Sequence, residues 1–348
     1  MRRITYLLVI LGLSCLASLV PAEPAPSPTR AKEIELSGYA EWRSDGMLVV
    51  DGQRVTPAGD ARFEGKGRAR RFEGIPLGYE VKVEGIRLAD GTVLGRKIEA
   101  KPNGSAFYEG PIRADANAME EEFRRHGRVA EYDAYGHVAS DYGELLESGS
   151  EVERVRIIAD RLTPPYLDRE DFRVYVVENE EWNAMAAPNG AIYVFSGLLR
   201  DMDDDEVAIV LGHELVHATH EHSRRSYKKS MLVSLLGWGA TAAADSIDRD
   251  GARIATKVGI YAGTLAWMND YGRSAEDQAD RVGLRYAYEA GYDVSKGPRL
   301  WRRFAEKHRG LPKAVNFFLG GHSVAKDRAK NLEEEIRFNY SEGGVRQH

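Results

Sequence analysis

The chain has 348 residues, 43% hydrophobic and 29% charged, enough for one large domain or two moderate ones, each with its own core. A formal charge of -6 gives no basic excess, which argues against nucleic acid as the main partner. Cys15 is the only cysteine, so no disulfide can form within the chain, and packing or packing plus metal must hold an exported form together.

In chain order, Arg2 and Arg3 precede an apolar run from Ile4 to Val20, and Val20-Pro21-Ala22 offers small residues for cleavage. This is the layout of a secretory signal peptide over residues 1–22, and it places the mature protein in the periplasm or cell envelope of a bacterium. Cutting after Ala22 removes two arginines and no acid, so the charge becomes 46 minus 54, or -8. Two readings compete: an uncleaved membrane anchor, since the run is nearly a bilayer span, and lipidation at Cys15, for which Gly12-Leu13-Ser14 is a poor signal. Residues 23–33 are Pro-rich and polar, a linker.

From residue 34 to 102 short alternating runs are broken by turn residues, with Asp51-Gly52 and Asp90-Gly91 as hairpin signals and Tyr79 to Gly85 at half-buried strand spacing. This predicts a small all-β module, similar to the OB-like barrels attached to exported bacterial proteins. Arg62, Lys66, Arg68, Arg70 and Arg71 form a basic run best read as a solvated loop. Pro102 to Ala114 is a boundary. Beyond it apolar spacing predicts helices over 117–137 and 152–162, and strands over 172–177 and 191–195, the second entered through Pro188-Asn189-Gly190. The second domain is expected over 115–340, followed by a polar tail, 341–348.

Asp203 to Asp205 supply acceptors where a helix begins, with Glu206 at capping-box spacing from Asp203, and the helix is expected to run to about His222. Within it His213 and His217 lie one above the other, and Glu214 sits beside them. Two imidazoles so spaced can hold one ion, and the carboxylate can reach a water on it. This is the H-E-x-x-H arrangement of zinc hydrolases. Burying three such groups inside IVLGHELVHA is costly unless they are paired or metal-bound. A catalytic site needs a third ligand. Glu276 and Asp280 lie four apart on a second helix, so the first could complete the site and the second could orient a ligand histidine, although such a pair is more often a solvated face. His220 and His222 read as a solvated helix end.

GHELVHATHEHS followed by RSAEDQADRVGL resembles the HtpX/BepA-like zinc metallopeptidases, the gluzincin family that includes the CAAX prenyl proteases. NAMAAPNGAIYVFSGLL (183–199) and GGHSVAKDRAKNL (320–332) are similar to two further segments of that family, in the same order, so the resemblance covers roughly residues 115 to 338. It implies an α+β fold, in which a mainly helical peptidase domain with a small sheet follows the β module. It implies one zinc ion held by His213, His217 and Glu276, with Glu214 as general base and Asp280 behind the ligands. His322 and Arg328 would stabilise the oxyanion, and Ala191, Ile192, Tyr193 and Val194 would accept substrate as an added strand. Asn189 stands where the family has glycine, a residue that tolerates a left-handed turn, and Ser323 stands where it has proline, which loosens the His322 segment and raises the prospect of a latent resting enzyme.

The activity implied is endoproteolysis of misfolded or unassembled envelope proteins. The competing class is a zinc-stabilised holding protein that does not cut, and a second is an amidase of non-protein substrates. Intact Glu214 favours the peptidase, because a scaffold needs the ligands and not the base. The apolar stretches 230–244 and 254–268 fall short of a bilayer span and read as buried helices, leaving peripheral membrane contact open.

Overall fold

A computed structural model describes residues 32–44, 46–65, 67–101, 109–132, 138–220, 222, 273–307 and 325–340. Residues 1–31, with the expected signal peptide, the stretches 230–244 and 254–268, His322 and Ser323 lie outside the described residues. No described helix is long and apolar enough to cross a membrane.

The chain is α+β. Strands β1 (Lys32–Ser44), β2 (Met47–Val50), β3 (Gln53–Glu64), β4 (Glu80–Arg87) and β5 (Val93–Lys101) form a closed barrel in the order β1-β2-β3-β5-β4. The alternation read from the sequence is the reason: Leu36, Val55, Val81, Val83 and Ile98 point inward, and Phe72 and Ile75 from short turns between β3 and β4 plug the interior. The β2–β3 connection is Asp51-Gly52, both at positive φ (47° and 73°), the geometry of a two-residue hairpin turn. Arg62, Arg70 and Arg71 are exposed, as a solvated run should be.

A five-stranded sheet follows, in the order β6-β7-β8-β10-β9, from β6 (Arg128–Tyr132), β7 (Val138–Leu146), β8 (Arg173–Glu178), β9 (Ala184–Ala186) and β10 (Ala191–Phe195). Every residue of β10 is buried because both faces are covered. Tyr193 and Phe195 pack with Phe123 of α1 (Glu109–His126), while Ile192 and Val194 join the larger core with α2 (Ser150–Leu162) and the helices that carry the site. Between 117 and 137 the structure departs from the predicted continuous helix. It ends at His126, Gly127 turns the backbone at φ 60°, and the chain enters the β6–β7 hairpin, with Val129 buried against β10's outer face.

The remaining helices are α3 (Ser196–Asp201), α4 (Asp204–Thr219), α5 (Arg273–Glu289), α6 (Gly297–Lys307) and α7 (Ala325–Asn339). The predicted capping box opens α4: Asp203 Oδ1 accepts from the Glu206 amide at 3.1 Å, and Glu206 Oε2 accepts from the Asp203 amide at 3.4 Å. From Glu206 to His217 every residue of α4 is buried, so it is a central helix, covered all round. It crosses α5 at Gly212 and Gly283, where a Cβ on either glycine would come within 2.6 Å of the other helix's backbone. Two helix backbones in contact bring the residues flanking the crossing within a side chain's reach of each other.

Candidate metal centre

The crossing sets His213 and His217 of α4 against Glu276 and Asp280 of α5. One ligand atom from each of His213, His217 and Glu276 lies within 4.8 Å of the other two, and all three residues are buried. The two Nε2 atoms approach to 3.0 Å, with Glu276 oxygens 3.5 Å from His213 Nε2 and 3.4 Å from His217 Nε2. The helical spacing that stacked the two histidines thus aims both rings at one point, and the second helix supplies the carboxylate.

The two buried acids of α5 have opposite electrostatics. Burial works to raise both. For Asp280 it is outweighed by the Arg328 guanidinium, which donates Nε to Oδ2 at 2.7 Å and Nη2 to Oδ1 at 2.5 Å, and the carboxyl is held well below its ordinary range. For Glu276 burial prevails over the attraction of His213 and Arg328 and pushes the carboxyl up to about 8. Glu276 is therefore the acid whose burial outweighs its positive neighbours, with Arg328 Nη1 at 3.7 Å from its Oε2. A donor set of two imidazoles and one carboxylate fits a divalent transition metal, above all zinc.

Asp280 Oδ1 is also 2.9 Å from His213 Nδ1, so it accepts that proton, and Nε2 faces the cluster. Burial first, and the Arg328 charge second, hold the His213 imidazole below its ordinary range, which keeps it neutral. Arg328 is fully buried, stacked 3.6 Å over the Trp301 ring, with Nη2 3.1 Å from His213 Nδ1. That is the outer side of His213, behind the ligands. Its Nη1 lies 3.7 Å from Glu276 Oε2, so the guanidinium spans both acids of α5 and holds Asp280 the more closely.

Glu214 is buried between the cluster and β9. It accepts a hydrogen bond from the Ala186 backbone, and burial, reinforced by the charge of Glu276, pushes its carboxyl well above the ordinary range. Its Oε1 has no hydrogen-bond partner among the described residues. A buried acid with a vacant oxygen and a raised proton affinity has the properties of a general base beside a reacting water.

Substrate addition to residues 191–194 does not survive the topology. β10 pairs with β8 on one side (Ile192 with Val174, Val194 with Val176) and with β9 on the other (Ile192 with Ala186, Val194 with Ala184), so its backbone is occupied on both flanks. The edge strand is β9, and it is the strand that touches Glu214. Three residues of Ala-Met-Ala carry no period, which is why sequence reasoning passed over them. Asn189 is corrected too. The left-handed residue is Gly190, at φ 85°, and Asn189 instead ties the turn to α1, donating Nδ2 to Glu120 Oε2 at 2.6 Å. His220 and His222 are buried at 0% and 1% exposure, not a solvated helix end.

The model of peptidase family M48 matches residues 151–336, more than half of the chain. The chain belongs to peptidase family M48. Among curated relatives of this M48 chain, the mitochondrial metalloendopeptidase OMA1 of Bos taurus is 31% identical over 182 residues, 49% of this chain and 34% of that protein. The beta-barrel assembly-enhancing protease of Escherichia coli is 27% identical over 174 residues, 48% and 35% of the two chains. The mitochondrial metalloendopeptidase OMA1 of Schizosaccharomyces pombe is 25% identical over 206 residues, 58% of each. The match thus spans between 34% and 58% of these relatives' lengths.

Proposed function

We propose that this M48 chain is a zinc-dependent metalloendopeptidase, with His213, His217 and Glu276 as ligands and Glu214 as general base. The observation that carries the reading is the buried convergence of those three ligand atoms next to a base that itself touches an edge strand. Zinc held there supplies a Lewis acid that makes water a competent nucleophile near neutral pH. Glu214 takes the proton of the attacking water and returns it to the leaving amine. The raised proton affinity of Glu214 suits both halves of that transfer. Asp280, held ionised by Arg328, keeps the proton of His213 on its outer nitrogen.

The substrate is a polypeptide in extended form, added to β9 through main-chain hydrogen bonds. Recognition through the backbone admits varied sequences, as clearance of misfolded or unassembled envelope proteins requires. The signal-peptide layout of residues 1–22 and the name of the Escherichia coli relative support an envelope location. His322, assigned from its sequence context, is the oxyanion donor, and His322→Ala is expected to lower kcat.

The deciding experiment is zinc content and casein cleavage of the purified protein beside Glu214→Gln. Zinc in both with cleavage only in the unaltered protein is the expected result. Zinc in both with cleavage in neither would favour a holding protein, and no zinc in either would overturn the metal assignment.

A further inference from the structure

We propose that the N-terminal barrel is part of the metal site, with Glu41, Gln278 and His222 as positioning residues that fix the ring of His217. The inference rests on the metal reading of His213, His217 and Glu276. His213 has Asp280, from the catalytic domain itself, behind its outer nitrogen. Among the described residues, His217 meets a second histidine there. Its Nδ1 lies 3.0 Å from Nδ1 of His222.

The proton positions along this line follow from chemistry. If His217 offers Nε2 to a metal, Nδ1 carries its proton and donates it to His222 Nδ1. His222 then carries its proton on Nε2, where it faces Gln278 Oε1 at 2.8 Å, an acceptor. That orientation of the amide turns Gln278 Nε2 outward, and it donates to Glu41 Oε1 at 3.0 Å. Glu41 can only accept, so the line ends there. Its carboxylate is held by both Arg281 nitrogens at 2.7 Å and by the Gly52 amide at 2.8 Å. With a metal on His217 Nε2, every donor along this line meets an acceptor.

Glu41 reaches this position because the pairing of β1 with β2 shifts register between Ala40 and Trp42. The irregularity leaves Ala40 in the barrel core and turns Glu41, fully buried, toward α5. The same segment is seated closely. The Glu41 carbonyl accepts from His220 Nε2 at 2.6 Å, Arg285 stacks 4.8 Å from the Trp42 ring, and a Cβ at Gly78 (φ 77°) would come within 2.7 Å of the His220 backbone. A barrel docked this tightly presents Glu41 at a set distance from the ligand.

The test is zinc affinity of the full chain, by competition with a chromophoric chelator, for the unaltered protein, Glu276→Gln, His222→Phe, Glu41→Gln, Gln278→Glu and two double variants. Partners behind a ligand histidine are worth about 10–100-fold in metal affinity. His222→Phe is therefore expected to weaken zinc by about that factor, and Glu41→Gln by a smaller one. The double variant His222→Phe/Glu41→Gln should be no weaker than His222→Phe, because both interrupt one line. In Glu41→Gln/Gln278→Glu the bond between positions 41 and 278 is restored with donor and acceptor exchanged, so its affinity should exceed that of either single variant. Thermal unfolding of the metal-free forms accompanies each measurement. Affinities that track metal-free stability, add in the first double variant and show no recovery in the second would overturn the proposal. Glu276→Gln separates the two levels: if it binds zinc as the unaltered protein does, the metal reading itself fails, whereas loss there with unchanged His222→Phe sinks the positioning role alone.

Discussion

Glu276 and Asp280 sit one helical turn apart in the same interior, and Arg328 sets them apart, meeting Asp280 at 2.5 Å and Glu276 at 3.7 Å. With the guanidinium closer to Asp280, Glu276 in the metal-free protein keeps its proton up to about 8, against 4.5 for an ordinary glutamate. Between those values the folded metal-free chain holds a proton that the unfolded chain has lost. Glu276 thus contributes stability at low pH that is lost as pH rises through about 8. Metal binding must expel the same proton. Zinc affinity is therefore expected to fall as pH is lowered through that window, by up to about tenfold per unit for one proton. Competition titrations across the window check this, and a flat profile would contradict it. Glu214→Gln should leave zinc binding intact while lowering kcat by roughly 10²–10⁴, the usual worth of a general base. His213 with His217, and Glu276 with Asp280, were legible as pairs because helix periodicity puts each on one face, while the reading of Glu214 as base and Glu276 as third ligand came from the H-E-x-x-H motif and the family resemblance. His222 was not legible, since it lies past the end of α4 and its burial depends on Gln278 and on a barrel residue 237 positions from Gln278.

At the scale of elements the site depends on how closely α4 and α5 approach. Gly283→Ala would force a methyl into the backbone around Gly212 and His213. Overpacking of this kind costs about 1–3 kcal/mol. The variant should unfold at lower temperature and bind zinc more weakly, and retention of both by calorimetry and competition would show that the helices can separate without cost. If β9 is the docking strand, peptides N-methylated at alternate bonds near the cleavage site should be cut far more slowly than their parents, with inhibition by the parent peptide competitive. The barrel, the capping box and helices α4 and α5 could be read ahead of the structure because each has a local signature: Asp51-Gly52, Asp203 with Glu206, and apolar spacing. The β6–β7 hairpin and β9 could not. The first follows a helix that a glycine ends without any change in composition, and the second is too short to show alternation and owes its role to the neighbour it pairs with.

For the whole molecule, one ion would join helices from distant parts of the chain and, through Gln278, the barrel as well. Removing it with a chelator should lower the unfolding temperature of the whole protein. Free zinc at a thousand times its dissociation constant corresponds to about 4.1 kcal/mol of added stability. Calorimetry with and without chelator checks this, and identical transitions would mean that the ion is bound by something other than the fold. The sheet order has a separate consequence, for solubility. A closed barrel presents no unpaired strand, and β6, at one end of the second sheet, carries Arg128 paired with Asp141 and Glu144, charges that discourage another copy from adding on. At the other end β9, three residues long, has no further strand beside it among the described residues. So short a template gives a second copy of the chain too few ladder bonds to start a fibril. If β9 takes substrate as proposed, its brevity also keeps it from seeding the aggregates the protein is proposed to clear.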